Sequence, residues 1–250
     1  MEIIKHILRF GCFDTFVKYF PEANQTSVLC VGLSCVILCM VSAYLLGSIN
    51  FAIVLSKFRG DDIRNHGSQN AGTTNMLRTY GKRAAVVTLV GDFLKGTLAA
   101  ILGGILFSVY GKYLAALFCV LGHVFPVYYK FKGGKGIATA AGTILACKPI
   151  VLLILVAIFV IVVAFTKFVS LASIIVALTY PLLLDRVYKL EGKPSGLHIL
   201  FVLILSMIVL WKHYPNMKRL MNKTESKISF KKKAAVEESI SAAKDQGDNK

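Results

Sequence analysis

Charge is scarce in this chain. Only 17% of its 250 residues are Asp, Glu, Lys or Arg, while 56% are apolar and mean hydropathy is +0.65. Soluble domains carry roughly 25% charge, so an ordinary soluble globular domain is excluded. Paired cysteines are missing as well. Cys12, Cys30, Cys35, Cys39, Cys119 and Cys147 form no C-x-x-C element and no Cys/His cluster with zinc spacing. Neither a disulfide framework nor a metal site is expected; most of these thiols lie in apolar runs, where Cys behaves as a small hydrophobe. The G-x-S-x-G and H-E-x-x-H signatures are absent, which removes two common hydrolytic sites. Residues 1–27 lack the short apolar core and small-residue cleavage site of a signal peptide. No repeat recurs at a fixed period.

What the chain does have is long apolar runs. They cover about 28–54, 84–110, 113–129, 137–147, 150–165, 168–184 and 197–211, against the ~20 residues that a bilayer crossing requires. The expectation is an all-α, polytopic membrane helix bundle of about seven transmembrane helices, one of them short (137–147). It forms one domain over 28–228. Residues 1–27 scatter Ile3, Ile4, Ile7, Leu8, Phe13, Phe16, Val17 and Phe20 among charges. They read either as an interfacial amphipathic helix ending near Pro21 or as a loosely ordered extension. Residues 229–250 are a polar, basic tail, expected to be disordered. The net charge of +16 owes much to the residues after Trp211; beside apolar spans such a tail points to anionic lipid rather than nucleic acid.

Pro149 decides the topology, because it either interrupts one long span or separates two. Seven spans put most basic residues on one face and six spans do not, so the positive-inside rule favours seven. The N-terminus is then outside. Residues 58–83, 130–136, 167–173 and everything from His213 lie inside, so four polar segments converge.

Two of these segments suit anions. Gly67 to Arg78 reads G-S-Q-N-A-G-T-T-N-M-L-R: two glycines, side-chain donors at Ser68, Asn70, Thr73, Thr74 and Asn75, and a guanidinium. The plain alternative is a flexible polar connector. Gly133, Gly134, Lys135 and Gly136 open a helix, whose free N–H groups and dipole attract an anion. A Walker A loop fails there, with Tyr129 at the first position and Gly136 at the last. An H-x-x-x-x-D element fails at His66, His123 and His213, followed five residues on by Ala71, Tyr128 and Lys218. Asp92 and Lys95, at i, i+3 inside a span, either pair structurally or join a site. A transporter for a phosphorylated solute and a basic scaffold remain as other readings. One-sided loops weigh against the transporter.

Five elements in order, G-S-I-N (47–50), D-I-R-N-x-G-S-x-N-A-G-T-T-N-M-L-R (62–78), G-H-V-F-P-V-Y-Y-K-F-K-G-G-K-G-I-A-T (122–139), F-V-S-L-A-S (168–173) and K-H-Y-P-N-M-K-R-L (212–220), resemble one family. It is the bacterial membrane acyltransferase that uses acyl phosphate to acylate glycerol 3-phosphate. The resemblance spans about 33–228. It implies transfer of a fatty acyl group to the 1-hydroxyl of sn-glycerol 3-phosphate, giving lysophosphatidate and inorganic phosphate, the first acylation of phospholipid biosynthesis. It implies no cofactor and no metal, a bacterial inner-membrane location with the site and C-terminus cytoplasmic, and a functional link to whatever enzyme makes acyl phosphate. By motif, Ser68, Asn70, Thr74, Asn75 and the Gly133 and Gly134 amides would hold the acyl phosphate. Arg78, Lys135, Ser173, His213 and Asn216 would contact glycerol 3-phosphate and the transferring phosphate, with His123 behind them. The chemistry implied is substrate-assisted, since no Asp or Glu stands in a matched loop as a base. Three departures stand out. Asn50 replaces a usual Pro and should change a bend. Gln69 replaces a usual Gly and should crowd the cradle. Lys223 replaces a Gly before Glu225, in an end expected to lie outside the core.

Overall fold

The structure, a computed structural model, describes residues 2–194 and 196–228, without the side chains of Lys5 and Leu8. The basic tail beyond residue 228 lies outside the described residues. The all-α expectation holds: ten α-helices and two short 3-10 turns, with no strand among the described residues. In chain order they are α1 (Glu2–Phe10), α2 (Cys12–Tyr19), α3 (Gln25–Ser48), α4 (Phe51–Lys57), α5 (Thr73–Val124), α6 (Ile137–Cys147), α7 (Pro149–Thr166), α8 (Val169–Leu190), α9 (His198–Lys212) and α10 (Tyr214–Met221).

The N-terminal extension is two helices rather than one, because the chain reverses at Gly11, whose φ of 94° suits only glycine. The pair packs on the turn at residues 107–108, with Phe13 and Phe107 rings 5.1 Å apart. Asn24 caps α3 by accepting from the Ser27 amide at 2.8 Å. The first span was expected to reach about Val54 but ends at Ser48. Ile49 is extended, and Asn50 starts a new helix by accepting from the Ile53 amide.

α5 is one element by hydrogen bonding, yet non-helical backbone at Gly81 and at Phe107–Ser108 divides it. A short stretch at 73–80 precedes a long arm, and the chain then doubles back so that the Gly103 and Gly111 backbones meet. Lys148, at φ −156° and ψ 86°, breaks the chain between α6 and α7, with Pro149 at the first position of α7. That is the interruption expected from sequence, and Pro is tolerated at such a helix start. The 11-residue α6 is held against the long arm of α5 by close backbone approach. A Cβ on Gly96 would collide with the Thr139 carbonyl, and one on Gly142 with the Phe93 carbonyl. Small residues are what join helices in lipid, where apolar burial gives no drive.

Among the described residues, four helices are long and apolar enough to cross a membrane, or five if α9 and α10, bent by 52°, form one span. The count stops short of the seven expected for physical reasons. α5 registers once although it holds two antiparallel arms, and α6 and α9, at 11 and 15 residues, fall below a full crossing. Outward-facing Leu29, Leu153 and Phe165, at 72, 65 and 86% exposure, belong to a lipid-facing belt.

Candidate active site

The loop at 58–72 is built by its own side chains. Asp62 accepts from the Arg64 amide at 3.0 Å and from both Nε and Nη2 of the Arg64 guanidinium, at 2.9 and 2.6 Å. Arg64 Nη1 then donates to the Tyr129 and Lys132 carbonyls at 3.0 and 3.1 Å, stitching this loop to the one at 125–136. Asn75 was expected to donate to phosphate, but its donors are spent. Its Nδ2 gives to the Ile63 and His66 carbonyls, at 3.2 and 2.9 Å, and its Oδ1 accepts the Ser68 amide at 3.0 Å. An amide has two N–H donors, so Asn75 clamps the loop instead. Gln69 lines the cavity beside the loop. It stands at φ 58°, the left-handed region that favours Gly, which accounts for the usual glycine there. Asn50 donates to the Ala71 carbonyl at 3.3 Å and so braces the same loop.

The second loop departs from expectation in the same way. The Gly133 amide donates to the Val124 carbonyl at 3.2 Å and the Gly134 amide to the His123 carbonyl at 3.1 Å, so neither is free for an anion. Their glycines serve close packing. A Cβ on Gly133 would strike the His123 carbonyl, and one on Gly134 would strike His123 Nε2 and the Ala71 carbonyl. The free amides lie just beyond, in the first turn of α6, which by geometry has no intrahelical acceptors; Lys135, Gly136, Ile137 and Ala138 all face the cavity.

Lys135 Nζ donates to Asn216 Oδ1. Burial, opposed by the Glu225 carboxylate and reinforced by Arg219 and Arg78, holds its ammonium down at about 8. Asn216 Nδ2 donates in turn to Glu225 at 2.7 Å. Glu225 also accepts from the Ser170 hydroxyl at 2.8 Å and Arg219 Nε at 2.7 Å. Burial raises the Glu225 carboxyl, but those three hydrogen bonds outweigh it and leave it below its usual value. Arg78 Nη2 donates to the Ser226 carbonyl at 3.1 Å. Residues 222–228 therefore fold back over the site rather than lying outside it, and Lys223 takes φ 58°, again the region where glycine is favoured.

Two histidines face the cavity with opposite tautomers. His213 Nδ1 lies 2.8 Å from the Val209 carbonyl, which only accepts, so Nδ1 carries the proton and Nε2 keeps its lone pair. In the membrane-spanning part of α5, Lys95 Nζ meets Ile49 O at 2.6 Å, Asp92 Oδ1 at 2.8 Å and His123 Nδ1 at 2.9 Å. Three ammonium protons match three acceptors, so Nδ1 of His123 accepts and Nε2 carries the proton. Asp92 and Lys95 thus pair, as one of the two expectations had it, and the pair also sets a cavity histidine.

Between the two loops, α8 and the 213–228 segment lies a cavity of about 1160 Å³. Ser68, Asn70, Thr74, Asn75, Arg78, His123, Lys135, Ser173, His213 and Asn216 line it; Gly133 and Gly134 do not. The sequence reading missed Ser170, Arg219 and Glu225, although the N-x-x-E spacing at 222–225 was the available signal. One end of the cavity is cationic and rich in donors. The other is walled by apolar side chains of α5 to α9, including Phe93, Ile144, Leu155, Phe159 and Val176. Such a space accepts a molecule with an anionic head and an aliphatic tail.

Comparison with known proteins points to one family. The family profile described as Glycerol-3-phosphate acyltransferase matches residues 37–223. The glycerol-3-phosphate acyltransferase of Bacillus subtilis (strain 168) is 41% identical over 197 residues, 77% of this chain and 97% of that protein. That of Clostridioides difficile (strain 630) is 41% identical over 203 residues, 78% of this chain and 97% of the other. The crystal structure of PlsY (YgiH), an integral membrane glycerol 3-phosphate acyltransferase, in its glycerol 3-phosphate form superposes with a TM-score of 0.71. It is 34% identical and covers 78% of this chain and 96% of its own. Its lysophosphatidic acid form gives 0.69 and 32%.

Proposed function

The chain belongs to the glycerol-3-phosphate acyltransferase family, as a multi-pass membrane acyltransferase, and from that premise we propose the following reaction. It transfers a fatty acyl group from acyl phosphate to the 1-hydroxyl of sn-glycerol 3-phosphate, giving lysophosphatidate and inorganic phosphate. The observation that carries this reading is the cavity itself, with a cationic end at Arg78, Lys135 and Arg219 and an aliphatic wall running from it.

Ser68, Asn70, Thr74 and the first-turn amides of α6 hold the donor's phosphate. Arg78, Lys135, Ser173 and Asn216 hold glycerol 3-phosphate and the departing phosphate. His213 Nε2, with its lone pair free, accepts a hydrogen bond from the 2-hydroxyl of glycerol 3-phosphate, leaving the 1-hydroxyl proton to the phosphate. Asn75, Gly133 and Gly134 keep the loops in place, and Glu225 orients Asn216 and Arg219. The 1-hydroxyl oxygen attacks the acyl carbon, and the bond from that carbon to the phosphate oxygen breaks. The departing phosphate takes the hydroxyl proton. Acyl phosphate is already activated, so positioning and fixed positive charge supply most of the acceleration. The basic-residue bias supports an N-terminus outside and a cytoplasmic site, and the bacterial relatives support an inner membrane, where an enzyme making acyl phosphate would feed it.

The test supplies purified protein with glycerol 3-phosphate and either acyl phosphate or acyl-CoA. Lysophosphatidate and phosphate formed one to one from acyl phosphate are expected. Product from acyl-CoA alone, or from neither donor, refutes the assignment.

A further inference from the structure

The aliphatic part of the cavity has a traceable end on α6, α7, α8 and α9. On α6 the lining runs from Ile137 to Ile144 and no further; on α7, from Val163 to Leu152; on α8, from Val169 to Tyr180; on α9, from Val209 to Leu205. The next residues in each direction, Val151, Leu184 and Val202, are buried and packed with Tyr113 and the floor residues Ile144, Leu152 and Tyr180 in one core cluster. The groove therefore ends on packed protein. Its side is more open: Val90 and Leu94 of α5 and Val156 of α7 line it while remaining 48, 51 and 46% exposed.

We propose that Ile144, Leu152 and Tyr180 form an end-stop that measures the acyl chain of the donor. This rests on the reaction proposed above. The groove is eight residues deep along α6 (Gly136 to Ile144) and α9 (His213 to Leu205) and eleven along α7 and α8, or about 12 to 16 Å at 1.5 Å per residue. An extended hydrocarbon advances about 1.3 Å per carbon, from C–C bonds of about 1.5 Å. The floor meets the chain between about its ninth and thirteenth carbon. Each carbon added before the floor packs against the groove and raises kcat/KM, by at most the roughly fourfold worth of one methylene taken out of water and by less where the donor comes from lipid. Each carbon after it turns aside between α5 and α7 toward lipid and contributes little. Selectivity thus rises with length and then breaks.

Two variants move the break in opposite directions. Ile144→Ala removes part of the floor and shifts the break about one or two carbons longer. Ala141→Leu, one turn nearer the head group on the same face of α6, shifts it about one or two carbons shorter and lowers the ratio of long-donor to short-donor kcat/KM. The measurement is kcat/KM across acyl phosphates of about eight to about 18 carbons, bracketing that depth. Opposite shifts support the end-stop. A profile without a break, a break that neither variant moves, or an equal loss at all lengths overturns it. Failure of the native protein to use any acyl phosphate overturns the reaction instead, and the end-stop with it.

Discussion

Lys135 carries the clearest consequences at the scale of single residues. Its ammonium is a largely buried charge at the cationic end of the cavity, and Lys135→Ala should lower turnover by at least about a hundredfold, the scale of removing one preorganised donor. Because burial holds this ammonium at about 8, kcat/KM should fall as pH rises through about 8, where the free enzyme loses the charge. A bound phosphate favours the charged form, so kcat should decline only at higher pH. Lys135→Arg should abolish the limb near 8 while still losing turnover, because a guanidinium stays charged but does not replace a point donor to Asn216. A limb that persists unchanged in the Arg variant would assign it to another group. Residue identities were legible here and residue duties were not. Lys135, Arg78, His213 and Asn216 do meet. Asn75 has the same composition signal as a ligand, yet its donors serve Ile63 and His66, a pairing that depends on how the loop closes and not on spacing.

At the scale of elements, the positive-φ positions are the informative ones. Gln69 and Lys223 both stand in the left-handed region where a side chain costs roughly 1 kcal/mol. Gln69→Gly and Lys223→Gly should each raise thermal stability, with a gain of up to about 1 kcal/mol apiece less the added freedom of the unfolded chain. A fall in melting temperature for both would contradict that account. Gly134→Ala should act oppositely. Its Cβ would press on His123 Nε2 and the Ala71 carbonyl, where backbone gives no room, so activity should collapse while membrane insertion, followed by fractionation, is retained. The break before Pro149 and the brevity of α6 were legible because proline and run length declare themselves. The division of the first span at Ser48 was not, since Gly47, Ser48 and Ile49 remain compatible with helix until Asn50 finds Ile53 and Ala71.

At the scale of the whole molecule, the polar loops meet at one end of the bundle and the N-terminal helix pair packs near the other, on the turn at 107–108. The account therefore predicts sidedness. Cysteine introduced at Gln69 should react with a membrane-impermeant maleimide only in inverted vesicles, and one at Lys193 only in intact cells; both sites are exposed. Labelling of both from the same face would overturn the topology. Convergence of four distant segments was legible from basic-residue bias and motif order. The strap at 222–228 was not, because Glu225 finds Ser170 and Arg219 only once α10 has turned the chain by 52° from α9.

The central claim is that one cavity holds both halves of the donor, and a structure with a non-hydrolysable acyl phosphonate tests it most directly. The account predicts the phosphonate against Lys135, Arg78 and the first turn of α6, with the chain lying along α6 to α9 toward Ile144. A phosphonate held elsewhere, or a chain lying outside that groove, would contradict it.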